Sequence, residues 1–199
     1  MSAEVTEDAA LGGRLRLKQP RRGHRVGHDA MLLAAACPAR AGERVVDLGA
    51  GVGAAGLALA LRVEGIDVVL VEVDAGLARL AAQNAQLNGL GARVNAAVLD
   101  VAAPARAFAA AGLGPESVAR VLMNPPFNDP ARQRASPDRR RRLAYAGPVG
   151  ALAVWIKTAA RLLRPRGTLT MIWRADGLAE VLAALAPACL LYTSPSPRD

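Results

Sequence analysis

Short runs of apolar residues recur along the chain, separated by stretches with helical spacing, and this alternation predicts an α/β fold built on a parallel sheet. Arg44 to Leu48 is the first strand of the series, running into Gly49, and Ala54 to Arg62 is a helix rich in Ala and Leu. Ile66 to Val73 is a second strand, unbroken in hydrophobicity from Val68 to Val71 as a strand covered on both faces must be. Leu77, Leu80, Ala81, Asn84 and Leu87 recur at helical spacing, and Asn88-Gly89 closes that helix. Arg93 to Leu99 is a weaker third strand ending at Asp100, Ala105 to Ala111 a third helix, and Val118 to Met123 a fourth strand ending at Asn124. Val149 to Leu163 reads as a helix stopped by Pro165 and Gly167, and Thr168 to Trp173 as a fifth strand. Asp176 is placed to cap a last helix from Gly177 to Ala186. Single helices between strands imply right-handed crossovers and a doubly wound, mostly parallel sheet.

The segment ahead of this series is less regular. After a polar start, Leu15 to Arg25 mixes basic residues with Pro20 and Gly23, and Asp29 to Ala36 is a short apolar helix ended by Pro38. The expected organisation is therefore a lead-in with one short helix over 1–43, an α/β domain over 44–187, and a tail over 188–199. The tail, Cys189 to Asp199, does not continue the pattern and resembles translated adapter read-through. That resemblance implies a non-native tail and an α/β domain incomplete at its carboxyl end; an ordinary disordered Ser/Pro tail is the alternative.

Composition narrows the core and the partners. The chain is 52% hydrophobic but 3% aromatic, so its core must be built from Ala, Leu and Val. The net charge is +8, and Lys18 and Lys157 are the only lysines, so the positive charge is almost all arginine, which suits bidentate phosphate contacts. A coding bias toward Ala, Arg and Gly explains the total equally well, which makes clustering the better guide. Cys37 and Cys189 lie far apart without a Cys/His grouping, so the sequence supports neither a disulfide framework nor a metal site. The acidic N-terminus does not read as a signal peptide, and no apolar stretch reaches membrane-spanning length. A soluble, cytoplasmic protein is expected.

Two constellations carry chemistry. The first is Val45-Val46-Asp47-Leu48-Gly49-Ala50-Gly51-Val52-Gly53-Ala54-Ala55-Gly56, a strand delivering a glycine turn to a helix N-terminus. Glycines let the backbone turn sharply and approach a ligand without a Cβ in the way. Gly51, Gly53 and Gly56 satisfy GxGxxG, a weak pattern by itself that also fits a plain tight turn. Glu72 lies in the second strand, 21 residues beyond Gly51, where a carboxylate can accept from both ribose hydroxyls. Asp47, two residues before Gly49, is placed to orient waters or backbone near an aminoacyl group. Asp100 is placed either to accept from an adenine amino group or to cap a helix. Acidic residues here favour a cationic cofactor over a pyrophosphate.

The second constellation is Asn124-Pro125-Pro126-Phe127-Asn128-Asp129 at the end of the fourth strand. Consecutive prolines hold the backbone extended and remove two N–H groups, leaving carbonyls free to accept. Asn124 adds a side-chain carbonyl, and Phe127 offers a face on which an extruded base can stack.

With both motifs present, the chain resembles the class I S-adenosylmethionine-dependent methyltransferases acting on amino groups, of the methyltransferase small domain group. The nearer likeness is to bacterial tRNA adenine-N6 methyltransferases that modify valine tRNA, carried by Gln19 to Ala34 and Asn124 to Pro137. The resemblance implies a Rossmann-like sheet and S-adenosyl-L-methionine as cofactor, held by Asp47, Gly49, Gly51, Glu72, Asp100 and Asn124. It implies a catalytic Asn124-Pro125-Pro126-Phe127, with the substrate amine donating to the Asn124 amide oxygen and the Pro125 carbonyl. Members of the group have two further strands beyond the five read here.

Arg132, Arg134, Arg139 and Arg140 follow the catalytic loop, joined by Arg141 and Arg142, and Arg14, Arg16, Lys18, Arg21, Arg22 and Arg25 precede the core. Such runs commonly form a solvated face, but two flanking one crevice suggest a phosphate track and an RNA substrate, most readily tRNA. His24 and His28 read as structural or substrate-lining. Alternatives remain within and outside the class. These are guanine-N2 in ribosomal RNA, adenine in DNA, a protein glutamine, a dinucleotide-dependent oxidoreductase, or a non-catalytic RNA-binding module.

Overall fold

The computed structural model describes residues 5–22, 25–126, 151–188 and 190–191. Five strands form a parallel sheet: β3 (Arg44–Leu48), β4 (Asp67–Glu72), β5 (Val94–Val98), β6 (Val118–Met123) and β7 (Leu163–Met171). Their spatial order is β5-β4-β3-β6-β7, so the chain winds outward from β3 in one direction and then resumes on its other side at β6. The expected doubly wound sheet is the observed one.

The period-two alternation of the strands sorts side chains into two apolar layers. Val45, Val68, Leu70 and Leu122 join Leu33 and Ala34 of α1 (His28–Ala36), Leu57 and Ala58 of α2 (Ala54–Arg62), and Ala81 and Ala85 of α3 (Ala75–Leu87). Val46, Leu48, Val69, Val71, Val121 and Met123 join Phe108 of α4 (Ala105–Ala110), Ile156 of α5 (Ala151–Leu162), and Val181 and Leu185 of α6 (Leu178–Leu185). Because β3 and β4 are covered on both faces, nearly every residue in them is buried, which is why they read as unbroken apolar runs.

The lead-in holds more structure than expected. β1 (Val5–Ala10) and β2 (Leu15–Pro20) form an antiparallel hairpin joined at Leu11–Gly13. β2 alternates cleanly, with Leu15 and Leu17 buried in the first layer and Arg16 exposed. β1, Val-Thr-Glu-Asp-Ala-Ala, has almost no apolar pattern of its own and is a strand because β2 offers it an edge. Asp8 knits the pair together: its carboxylate accepts from Gln19 at 2.8 Å, Thr6 at 3.0 Å and Arg25 at 2.8 Å. These bonds, that from Gln19 foremost, hold its pKa below the usual carboxylate range.

Two boundaries near the carboxyl end also shift. β7 begins at Leu163, ahead of Pro165 and Gly167, because its pairing with β6 slips between Val118 and Arg120 and the irregular stretch absorbs both residues. β7 is an edge strand among the described residues, where proline is tolerated. Asp176 does not cap α6; its carboxylate is taken by Arg174, and Gly177 stands at the cap without a side-chain bond.

At the amino ends of the strands, Arg120 grips Glu43 with both prongs, Nε at 2.9 Å and Nη2 at 2.7 Å, and passes its third nitrogen to Thr168 at 2.8 Å. The two side chains are 12% and 11% exposed, so the pair is shielded from water. Glu43→Ala leaves the Arg120 charge without its carboxylate in that setting. It is expected to lower stability by about 2–3 kcal/mol in urea denaturation, with an unchanged m-value.

Candidate active site

Strand register fixes the site. Leu48 pairs with Met123 on one side and with Val71 on the other, so Gly49, Asn124 and Glu72 each stand one residue past the same rung. Three residues far apart in sequence thus line one crevice at the carboxyl edge. It lies where winding reverses between β3 and β6, the place where open α/β sheets bind ligands.

The glycine turn is tied to β4, with the N–H groups of Gly49 and Ala50 both donating to the Val71 carbonyl, at 2.8 and 2.9 Å. Gly49, Gly51 and Gly53 all have positive φ, at 71°, 58° and 89°. The glycines then differ in what surrounds them. A Cβ on Gly49 would collide with Cη2 of Trp155, whose ring closes that side of the turn. A Cβ on Gly56 would collide with Cδ2 of Leu70, because α2 packs directly on β4 there. Gly51 has no heavy atom within 4 Å of such a Cβ and faces open space.

These surroundings separate two kinds of glycine experimentally. Gly56→Ala is expected to cost about 1–3 kcal/mol by overpacking. Gly51→Ala is expected to cost only the left-handed backbone penalty of about 1–2 kcal/mol, yet to abolish cofactor binding. Thermal denaturation beside titration calorimetry distinguishes them; the idea that Gly51 faces the ligand is lost if its alanine variant binds normally.

Glu72 is buried and held from both sides. Its Oε2 accepts from Gly51 N–H at 2.8 Å and its Oε1 from Asp74 N–H at 2.9 Å. Each oxygen keeps a lone pair, so the carboxylate is rigidly aimed and can still accept two hydroxyls. Beside it Val73 is 63% exposed, an apolar surface at the same rim. Asp47 belongs to β3 and points toward α2, where its Oδ2 accepts from Gly56 N–H at 2.9 Å. Burial pushes its carboxyl up to about 7; the Gly56 bond opposes that rise and the Glu72 charge adds to it. Asp100 is exposed two residues past β5, and its Oδ1 accepts from Ala102 N–H at 2.8 Å.

Asn124 follows β6 directly, and its side-chain oxygen is buried with no hydrogen-bond partner among the described residues. Pro125 is buried beside it and Pro126 half-buried. A buried acceptor left open at the mouth of a glycine turn is one that a ligand donor would satisfy. Phe127, Arg132, Arg134, Arg139, Arg140, Arg141, Arg142 and His24 lie outside the described residues. Of the basic lead-in, Arg16 is paired with Glu7 and Arg25 with Asp8 on the exposed hairpin.

Reading the sequence for motifs missed Trp155 and Val73. Trp155 reaches the turn only through the packing of α5 on the sheet, which no spacing reveals. Val73, directly after the strand-ending acid, was readable only as part of an apolar run.

The methyltransferase small domain model matches residues 24–186. The chain belongs to this family. It is 32% identical over 152 residues to the tRNA1(Val) (adenine(37)-N6)-methyltransferase of Enterobacter, covering 74% of this chain and 58% of the relative. It is 33% identical over 146 residues to the release factor glutamine methyltransferase of Chlorobaculum tepidum, covering 69% of this chain and 47% of that one. The crystal structure of a predicted O-methyltransferase from Agrobacterium tumefaciens superposes with a TM-score of 0.62 at 34% identity, covering 79% of this chain and 66% of that chain. The chain therefore spans about half the length of these two curated relatives.

Family and fold imply S-adenosyl-L-methionine as the cofactor, and the residues present fit it. Gly51 leaves room on the crevice side of the turn, Glu72 presents a fixed carboxylate, and Val73 provides an apolar rim. Among the described residues, no group of His, Cys, Asp and Glu is arranged to hold a metal ion. No described helix is long and apolar enough to cross a membrane.

Proposed function

We propose that this chain is an S-adenosylmethionine-dependent N-methyltransferase acting on the exocyclic amino group of a base in RNA, adenine N6 of a tRNA before others, in the cytoplasm. The observation that carries the reading is the buried amide oxygen of Asn124, unpartnered among the described residues and one residue past the Leu48–Met123 rung beside the glycine turn. The cofactor supplies an electrophilic methyl group on a sulfonium. The protein's part is to make a poor nucleophile competent. An aromatic amine delocalises its lone pair into the ring, and two acceptors bonded to its two hydrogens draw that pair back onto nitrogen. Asn124 Oδ1 is one acceptor, and the Pro125 carbonyl, in a segment stripped of N–H groups by two prolines, is the other. Phe127 is assigned the stacking face for the base. Glu72 and the Gly49–Gly51 turn hold the nucleoside end of the cofactor, with Asp47 bracing the turn through Gly56. Asp100 is assigned the adenine amino group. Oriented placement of two reactants accounts for much of the acceleration such a site needs.

The names of the relatives divide the acceptor question. The Enterobacter protein is named for adenine in tRNA and the Chlorobaculum protein for glutamine in a release factor, and an amide NH2 satisfies the same pair of acceptors. The arginines following the catalytic tetrapeptide, Arg132, Arg134, Arg139 and Arg140, support the RNA reading as phosphate contacts. Incubation with methyl-labelled cofactor and, separately, bulk tRNA, DNA and a release factor decides it. Label in N6-methyladenosine on nucleoside digestion is the expected result; label in methylglutamine with none in RNA overturns the substrate assignment.

A further inference from the structure

Asn84 is the most completely buried polar side chain described outside the catalytic crevice, with no measurable exposure, and it stands at a core-facing position of α3 where the helical spacing calls for an apolar residue. Its hydrogen bonds explain the exception. Oδ1 accepts from Lys18 N–H at 2.7 Å, and Nδ2 donates to the Lys18 carbonyl at 3.0 Å. One turn later Asn88 repeats the arrangement on Arg16, accepting at 2.9 Å and donating at 2.7 Å. Two asparagines four residues apart, one on α3 and one at its C-cap, thus bond backbone groups two residues apart on β2, standing in for a neighbouring strand. Asn84 does one thing that Asn88 does not: its Nδ2 also donates, at 3.0 Å, to the carbonyl of Val52, between Gly51 and Gly53 of the cofactor turn.

We propose that Asn84 is a positioning residue for cofactor binding, clamping the Val52 carbonyl of the glycine turn while anchored on β2, so that the amino-terminal hairpin is a working part of the cofactor site. The turn runs through three positive-φ glycines, which resist disorder least of all residues. On the sheet side it is fixed by the Val71 carbonyl, and behind by Trp155. The Glu72 carboxylate holds Gly51 N–H, and Asn84 adds the restraint from the α3 side, on the Val52 carbonyl. Its own amide is fixed in turn by the two bonds to Lys18, so the clamp is as firm as the docking of the hairpin. The proposal rests on the assignment of this crevice to S-adenosylmethionine.

The test compares Asn84→Ala with Asn88→Ala in the full chain by titration calorimetry with S-adenosylmethionine and S-adenosylhomocysteine, beside thermal denaturation. Both variants lose side-chain bonds to β2 and are expected to melt below the unmodified protein. Only Asn84→Ala is expected to weaken binding, by about tenfold, as loss of one buried amide restraint predicts. In turnover the same variant raises KM for the cofactor and leaves kcat near its original value. If both variants bind normally, or both weaken in step with their loss of stability, Asn84 is merely structural and the proposal fails. If the unmodified protein binds neither ligand, the cofactor assignment fails and the proposal with it. Should Asn84→Ala not fold, amide exchange on the unmodified protein replaces it. Ligand is expected to slow exchange of the Lys18 amide more than that of Arg16, and equal protection overturns the proposal.

Discussion

Asn124→Ala is expected to reduce kcat for methyl transfer by about two to three orders of magnitude while leaving cofactor affinity within about threefold. The protein tolerates a cost in order to keep this residue. A buried amide oxygen without a partner costs roughly 1–3 kcal/mol of desolvation relative to one that is bonded, and Asn124 Oδ1 is in that state among the described residues. The alanine variant removes the unsatisfied group, so its stability is expected to hold or to rise by about 1 kcal/mol or less. An asparagine serving the fold would behave in the opposite way, losing stability on truncation. Initial rates, calorimetry with S-adenosylhomocysteine and a denaturation curve on one preparation settle the matter. Normal turnover, or lost activity explained by unfolding, removes Asn124 from the mechanism. The split rests on the proposed division of roles, in which the glycine turn and Glu72, bonded to each other and to β4 without the Asn124 side chain, take the nucleoside end of the cofactor.

How far the sequence told this story depended on where each element gets its stability. β3 and β4 are buried on both faces, so their apolar runs marked them to within a residue or two. The glycine turn was equally plain, since glycine is forced wherever φ is positive or a helix must touch a strand. Glu72 and Asn124 could be placed together because each ends a strand, and parallel strands in register end at one edge. The hairpin escaped notice because β1 has no pattern of its own, and the leucines of β2 are interleaved with Arg16 and Lys18, which resemble a solvated basic run. Asn84 falls in the helical stripe with the apolar residues, but its partners lie 66 and 32 residues away and only packing identifies them. The early start of β7 was masked by Pro165 and Gly167, stop signals that an edge strand with a slipped register accommodates.

Asp47→Asn is expected to stabilise the protein in a strongly pH-dependent way, by nothing near pH 4 and by up to about 4 kcal/mol above pH 8. The cause is burial: Asp47 is 3% exposed beneath the N-terminus of α2, and its carboxyl titrates at about 7 in the folded protein against 3.8 when free. The sign follows from counting protons. Below 3.8 both folded and unfolded chains hold the proton, and no penalty exists. Between 3.8 and about 7 the unfolded chain has released it while the folded one retains it, so rising pH favours unfolding. Above about 7 both states are ionised, and the folded state carries the full cost of a charge removed from water beside the Glu72 carboxylate. Asparagine keeps an oxygen to accept from Gly56 N–H and never ionises, so the variant's stability no longer falls across that window on account of this site. Urea denaturation at pH 5 and pH 8 measures it as a difference of differences, which cancels every titrating group not coupled to Asp47. Equal stabilisation at the two pH values sinks the account. The same comparison says why an acid belongs there at all. Under the proposed assignment of this crevice to S-adenosylmethionine, a carboxylate against the turn favours the cationic cofactor, and binding that favours the ionised form expels the Asp47 proton. Proton release, read as a dependence of the binding enthalpy on the buffer's ionisation enthalpy near pH 6.5, is therefore expected in the unmodified protein and absent from Asp47→Asn.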